Sequence, residues 1–291
     1  MTSHAEQEIF SQPEIWERTI AAYPTLKHLL PEHGKRVAFV GCGTSWFMSI
    51  AAARLREDAG LGESDAFTAS EFPYERDYDM VVAITRSGTT TEVIDLLENL
   101  KTPSVVITAV AGSPVTEHAD ETVLLDFADE ESVLQTRYAT AVLVLLRTHF
   151  NQDMAPLVGQ CIDVLKKPLD RELVEAEQIA FLGTGWTVGL AHEAALKTRE
   201  SSQFWAESYP AMDYRHGPIS IAEEGRAVWI FGTPPEGLVN NVKTLGAHVE
   251  TSDLDPMVHL VLAQRVAVAI SESRGLDTDN PRGLARSIVL N

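Results

Sequence analysis

Two apolar runs, VAFVG at residues 37–41 and IAFLG at residues 179–183, constrain this chain more than anything else in it. Neither alternates apolar with polar positions, so neither suits a strand with one wet face. Each reads instead as a strand covered on both sides, which is the habit of parallel sheets. Each ends in glycine, meets a second glycine two residues on (Gly43, Gly185) and passes into a segment of helical spacing. The two stretches match position for position and suggest an internal duplication.

The rest of the chain extends that scheme. Residues 36–41 are followed by a helix over 45–57; residues 79–85 repeat the step, with SGTT as the turn and 90–100 as the helix. Residues 104–110 and 122–127 read as further buried strands, 134–169 as helical, and the charged 171–177 as a connection that places a domain boundary nearby. The second half reads as strand 178–185, helix 187–202, strand 227–232, helix 238–245 and a long helix over 256–274. Residues 5–33 read as helical, packed on a domain or on a partner subunit. With 291 residues and roughly 150 per domain, the expectation is an α/β protein of two tandem domains, each a doubly wound parallel sheet flanked by helices. The divisions expected are an N-terminal helical segment over 1–34, a first domain over 35–170 and a second over 171–291.

Charge narrows the partners. Forty-two acidic against 23 basic residues give a formal charge of −19, which repels nucleic-acid phosphate and anionic lipid. An anionic ligand must therefore be held by local donors. The two cysteines, Cys42 and Cys161, make neither a metal cluster nor a disulfide scaffold. The start, MTSHAEQEIF, lacks a signal-peptide pattern, and no run approaches the roughly 20 apolar residues of a membrane span. A cytoplasmic protein without metal or cofactor is expected.

Three segments carry candidate chemistry. The turn Gly41-Cys42-Gly43-Thr44-Ser45 exposes backbone N–H groups at a helix start, where the dipole favours an anion. It fits neither the Walker loop nor the GxGxxG dinucleotide spacing. The next strand ends in Thr85-Arg86-Ser87-Gly88-Thr89-Thr90-Thr91, five hydroxyls and an arginine, and ligands of open α/β sheets bind at the carboxyl ends of strands. A Ser/Thr helix cap accounts for one hydroxyl and not five. On a third segment Glu193, Lys197 and Glu200 share one helix face at i, i+4 and i+7. Spacing alone leaves that row as either a salt-bridged surface or a general base with its neighbours, and leaves His216, before Gly-Pro, as either a packed histidine or an acid–base group.

Taken in order, GCGTS at 41–45, ASEF at 69–72, TRSGTTTEV at 85–93, EAALKTRE at 193–200, HGP at 216–218 and DNPRGLARS at 279–287 resemble the sugar isomerase (SIS) domain family. The likeness is to the double-SIS arrangement of the isomerase half of glucosamine-6-phosphate synthase, from about residue 36 to 288. The resemblance implies that Ser45, Thr85, Ser87 and Thr90, with Gly43, Thr44 and Arg86 beside them, hold the phosphate of a sugar 6-phosphate. It implies that Glu200 moves a proton between C1 and C2, that Lys197 stands near the substrate hydroxyls, and that Glu193 and Glu207 lie one layer behind. His216 matches the histidine that opens the sugar ring from the neighbouring subunit, so a homodimer is implied. Gln135, Thr136 and Arg137 match positions that touch the sugar. Arg137 is open between the amine substituent, the phosphate and a helix-start salt bridge.

Two departures shape the expectation. No glutaminase segment precedes the SIS motifs, so a complete synthase is not expected. Arg286 stands where the synthase tail has a Schiff-base lysine, and an arginine, with a pKa above about 12, is too protonated for that role; it is left to pair with a substrate anion or with Glu200. The expected function is an isomerase/deaminase turning an amino sugar 6-phosphate into a ketose 6-phosphate and ammonia through an enediol or enolamine. The alternatives are a ketose/aldose isomerase, a fructosamine-6-phosphate deglycase and a non-catalytic sugar-phosphate sensor.

Overall fold

The computed structural model describes residues 2–290. In chain order its elements are α1 (His4–Phe10), α2 (Gln12–Leu26), β1 (Val37–Gly41), α3 (Thr44–Asp58), β2 (Ser64–Thr68), β3 (Met80–Ile84), α4 (Thr91–Asn99), β4 (Ser104–Thr108), α5 (Val115–His118), β5 (Glu121–Leu124), α6 (Arg137–His149), α7 (Ala155–Lys166), α8 (Arg171–Val174), β6 (Gln178–Gly183), α9 (Thr187–Ser202), β7 (Ala206–Pro210), β8 (Arg226–Ile230), α10 (Leu238–Thr244), β9 (His248–Glu250) and α11 (Pro256–Ser273). They fall into two compact units, one of residues 11–131, 135–158 and 285–290, the other of residues 2–10, 132–134 and 159–284.

The first unit is built on a five-stranded sheet in the order β2-β1-β3-β4-β5, every pairing parallel. β1 is buried at all five residues. Ala38, Val40, Val81, Ala83 and Val106 pack against Val93, Leu96 and Leu97 of α4. Val37, Phe39, Val82, Val105 and Ile107 alternate with them, so they face the other way, and they too are fully buried. α3 lies against β1 and β2, and α6 against α3 and α2. Both faces are thus covered, and each buried Val or Ile contributes about 1.5–3 kcal/mol.

The second unit has a four-stranded parallel sheet in the order β7-β6-β8-β9. Ala180, Leu182, Val228 and Ile230 pack with Leu238 and Val242 of α10. Phe181, Trp229 and Phe231 cluster together, and Trp229 lies 4.6 Å, ring to ring, from His259 of α11. α11 begins where chemistry says it should: Asp255 accepts a hydrogen bond from the Met257 N–H at 2.9 Å, with Pro256 in the first turn.

The glycine that ends each apolar run has the same cause in both units. A Cβ on Gly41 would lie 2.6 Å from the carbonyl carbon of Ser45, and one on Gly183 would lie 2.2 Å from the carbonyl oxygen of Thr187. The helix starts so close to the strand end that only glycine fits.

Three strands escape the sequence reading: β2 (SDAFT), β7 (AESYP) and β9 (HVE). All are edge strands, partly exposed, so they lack the continuous apolar signature. The segment expected as a connection contains the short helix α8, capped by Asp170 accepting from Glu172 N–H at 2.9 Å. Among the described residues no helix is long and apolar enough to cross a membrane.

Candidate functional site

In the first unit the turns after β1 and β3 emerge at the carboxyl ends of neighbouring strands. Gly43, at φ +54°, leads into α3 with no side chain capping the helix. Thr44 and Ser45 are buried in its first turn. After β3, Thr85, Arg86 and Ser87 are buried as well. Gly88 takes φ +66° with Ser113 packed against it, so close that an added Cβ would sit 2.0 Å from the Ser113 hydroxyl. Thr89 hydrogen-bonds through its hydroxyl to Ser87 at 3.0 Å. Thr90 is the cap residue of α4 by position, yet its side chain makes no capping hydrogen bond. Helix capping therefore does not consume the hydroxyls of this loop.

The chain's last residues lie along the same loop. Thr91 N–H donates to Ile288 O at 3.1 Å, Leu290 N–H to the Thr91 hydroxyl at 2.9 Å, and the Thr89 and Ser287 hydroxyls meet at 2.9 Å. Arg86 donates through Nη2 to Arg286 O at 3.1 Å, while its Nη1 stands 3.6 Å from Glu130 Oε2, both side chains fully buried. Glu130 turns its other oxygen to Thr136 N–H (2.6 Å), the Thr136 hydroxyl (2.8 Å) and Arg137 N–H (2.8 Å). Arg86 is thus a buried link between loop and tail.

Arg137, the first residue of α6, donates through Nε to Asp129 O at 2.9 Å and through Nη1 to the Ser11 hydroxyl at 3.1 Å. Arg286 pairs with Asp129, its Nη2 lying 2.5 and 2.7 Å from the two carboxylate oxygens, and donates to Glu130 O. Gln135 keeps its Oε1 buried with no hydrogen-bond partner. Cys42, inside the first turn, is inert: burial, then the charge of Glu92, pushes its thiol up to about 11.

The second unit carries the carboxylate row on α9. Glu193 and Lys197 have side chains 0% and 4% exposed and stand 3.8 Å apart; Glu200 is 19% exposed and accepts a hydrogen bond from Lys197. A salt-bridged surface does not look like this. Two of the three groups are in the interior, and a buried charge is retained only where it is paired. Glu207 accepts from Trp205 Nε1 at 3.1 Å through one oxygen, its other oxygen buried without a hydrogen bond. His216 ends a one-turn 3-10 helix, Asp213–His216, and is exposed.

Asp129 and Glu130 are the contacts that sequence reasoning passes over. Nothing in the acidic run Asp129-Glu130-Glu131 itself marks two of its carboxylates as partners of Arg286 and Arg86. Elsewhere Asp170, Glu172 and His248 come within 4.8 Å. The two carboxylates address opposite ring nitrogens of His248, at 3.4 and 2.9 Å, so they do not converge on one shared ligand point.

Comparison with known proteins places the first unit's domain and the fold. Residues 32–150 match the SIS domain. The glutamine–fructose-6-phosphate aminotransferase (isomerizing) of Methanothermobacter thermautotrophicus is 24% identical, aligned over 98% of this chain and 57% of its own. That of Sulfurisphaera tokodaii is 28% identical, over 89% and 51%. This chain spans a little over half the length of these curated relatives. The fold is shared with glucosamine-6-phosphate deaminase from Thermotoga maritima, at TM-score 0.87 and 23% identity over 99% of this chain and 100% of that one. It is also shared with tagatose-6-phosphate ketose/aldose isomerase from Escherichia coli, at TM-score 0.78 and 20% identity over 97% of each. Residues 32–150 are thus an SIS domain.

Proposed function

We propose that the protein is a phosphosugar isomerase acting on an amino sugar 6-phosphate, giving a ketose 6-phosphate and ammonia. The observation that carries this reading is Glu200: a carboxylate at the rim of a buried Glu193–Lys197 pair, hydrogen-bonded to the lysine and still partly open to solvent. The lysine sets its orientation, and general bases work only when held in reach of the proton they take. Support comes from relatives whose names carry isomerizing chemistry on fructose 6-phosphate, and from a fold neighbour named for glucosamine-6-phosphate deamination.

In this reading the hydroxyls of Ser45, Thr85, Ser87 and Thr90, with the start of α3, receive the phosphate. His216 assists ring opening. Glu200 takes the proton from C2 of the open-chain sugar and returns it at C1, so the C2 amine becomes an imine. Water adds to that imine, ammonia leaves, and the ketose phosphate remains. The step needs no oxidant or reductant. Arg86 and Arg286, tied to Glu130 and Asp129, hold the tail against the phosphate loop in place of a Schiff-base lysine.

The same reading takes the second unit as a second SIS domain, because β7-β6-β8-β9 repeats the strand order and the Gly183 turn of the first sheet. It takes the working form as a homodimer. The exposure of His216, with Met212 and Trp205 half exposed nearby in sequence, suits a histidine lent to a partner. Product analysis tests the function: with glucosamine 6-phosphate, ammonia and fructose 6-phosphate appear in equal amounts. Ketose without ammonia would replace this reading with simple aldose–ketose isomerisation. Release of a free amine from a fructosamine 6-phosphate alone would replace it with deglycation, and binding without any turnover with a sensor.

A further inference from the structure

A cleft of about 740 Å3 opens in the second unit, bounded by the loops that follow β6, β8 and β9. None of the groups assigned above lines it. In the order β7-β6-β8-β9, the chain leaves β6 toward one edge and returns to place β8 on its other side. That switch point is where open parallel sheets hold ligands. The first sheet has the same point between β1 and β3, and there the phosphate turns stand. The position thus recurs in both sheets, while the side chains have changed sign.

Where the first sheet offers Arg86 and a run of hydroxyls, this cleft offers Asp253 and Asp255, and its lining holds no lysine or arginine. Asp255 commits one oxygen to the start of α11; Asp253 is exposed. Two carboxylates in a chain of charge −19 repel a phosphate and attract an ammonium or hydroxyl donors. Trp186, half buried, and Leu254 add apolar surface, and Thr184 and Ser252 add neutral polar groups. An aromatic plane for C–H groups beside a few convergent acceptors for hydroxyls is what a pyranose ring requires.

We propose that this cleft is a second ligand site, for an unphosphorylated sugar, and that it prefers a cationic amino sugar to a neutral one. The test is calorimetric titration of the full chain with D-glucosamine and with D-glucose, with and without inorganic phosphate. Glucosamine binds one site per chain, about tenfold more tightly than glucose, as a charge-assisted contact requires. Asp253→Asn removes that preference, and Trp186→Ala weakens both sugars about tenfold. Phosphate leaves both titrations unchanged. The inference is overturned by absence of binding of either sugar to the wild-type chain, by undiminished binding in both variants, or by loss of binding in phosphate, which would move the sugar to the other sheet. Circular dichroism of the variants serves as the folding control, and the phosphate arm needs no variant.

Discussion

Glu130 and Arg86 face each other with both side chains fully buried, and a pair so placed behaves unlike one on the surface. Removing one member strands the other's charge in the interior, which costs about 3–5 kcal/mol. Glu130→Leu also strips three hydrogen bonds from Thr136 and Arg137. Its unfolding free energy in urea should fall by at least about 3 kcal/mol; a loss below about 1 kcal/mol would mean that the pair is solvated. Cys42 gives a second check at this scale. With its thiol near 11 and that of Cys161 near 12, both from burial first, about one Cys42 in a thousand is thiolate at pH 8. Alkylation of the folded chain at pH 8 should run at least about a hundredfold slower than that of an open thiol, and should accelerate up to pH 10 and above. Fast alkylation at neutral pH would contradict the burial. Sequence exposes residues of this kind unevenly. The hydroxyls of residues 85–91 announce themselves by number, whereas Glu130 does not, because burial and partner depend on where two distant loops return.

At the scale of elements, legibility followed burial. β1, β3, β4, β6 and β8 are central or flanked on both faces, and their apolar runs place them within a residue or two. β2, β7 and β9 lie on edges, are partly exposed along most of their length and carry Ser, Asp, Glu and His. Their partners hold them by backbone hydrogen bonds that composition does not report. The strand-to-helix glycine was legible as a residue; that it is obligatory becomes clear only from the approach of Ser45. Gly41→Ala should cost about 1–3 kcal/mol, the usual cost of overpacking, measured by urea denaturation. A neutral result would show that α3 moves freely away from β1. The α9 row shows the opposite limit: i, i+4 and i+7 spacing predicted a shared face, and only α11 and the sheet packed around α9 decide that this face is inside.

For the molecule as a whole, three histidines, His259 buried and His149 and His192 half-buried, bear on stability in acid. His149, His192 and His259 all have pKa values lowered below the ordinary value, burial being the largest cause in each. Above about pH 6.5 they are neutral in both folded and unfolded chains, and stability is complete. As pH falls below that value the unfolded chain takes up protons first, so stability declines and keeps declining through the lowered folded-state values. The urea midpoint should therefore drop steadily between about pH 6.5 and 5. A midpoint that stays flat until the carboxylates titrate near about pH 4 would show these rings to be solvated. The central claim is that Glu200 moves the proton, and steady-state kinetics of Glu200→Gln on glucosamine 6-phosphate tests it most directly. The account predicts kcat lower by about 100- to 10,000-fold with KM within a few-fold of wild type and an unchanged melting temperature. Wild-type kcat in Glu200→Gln would contradict it.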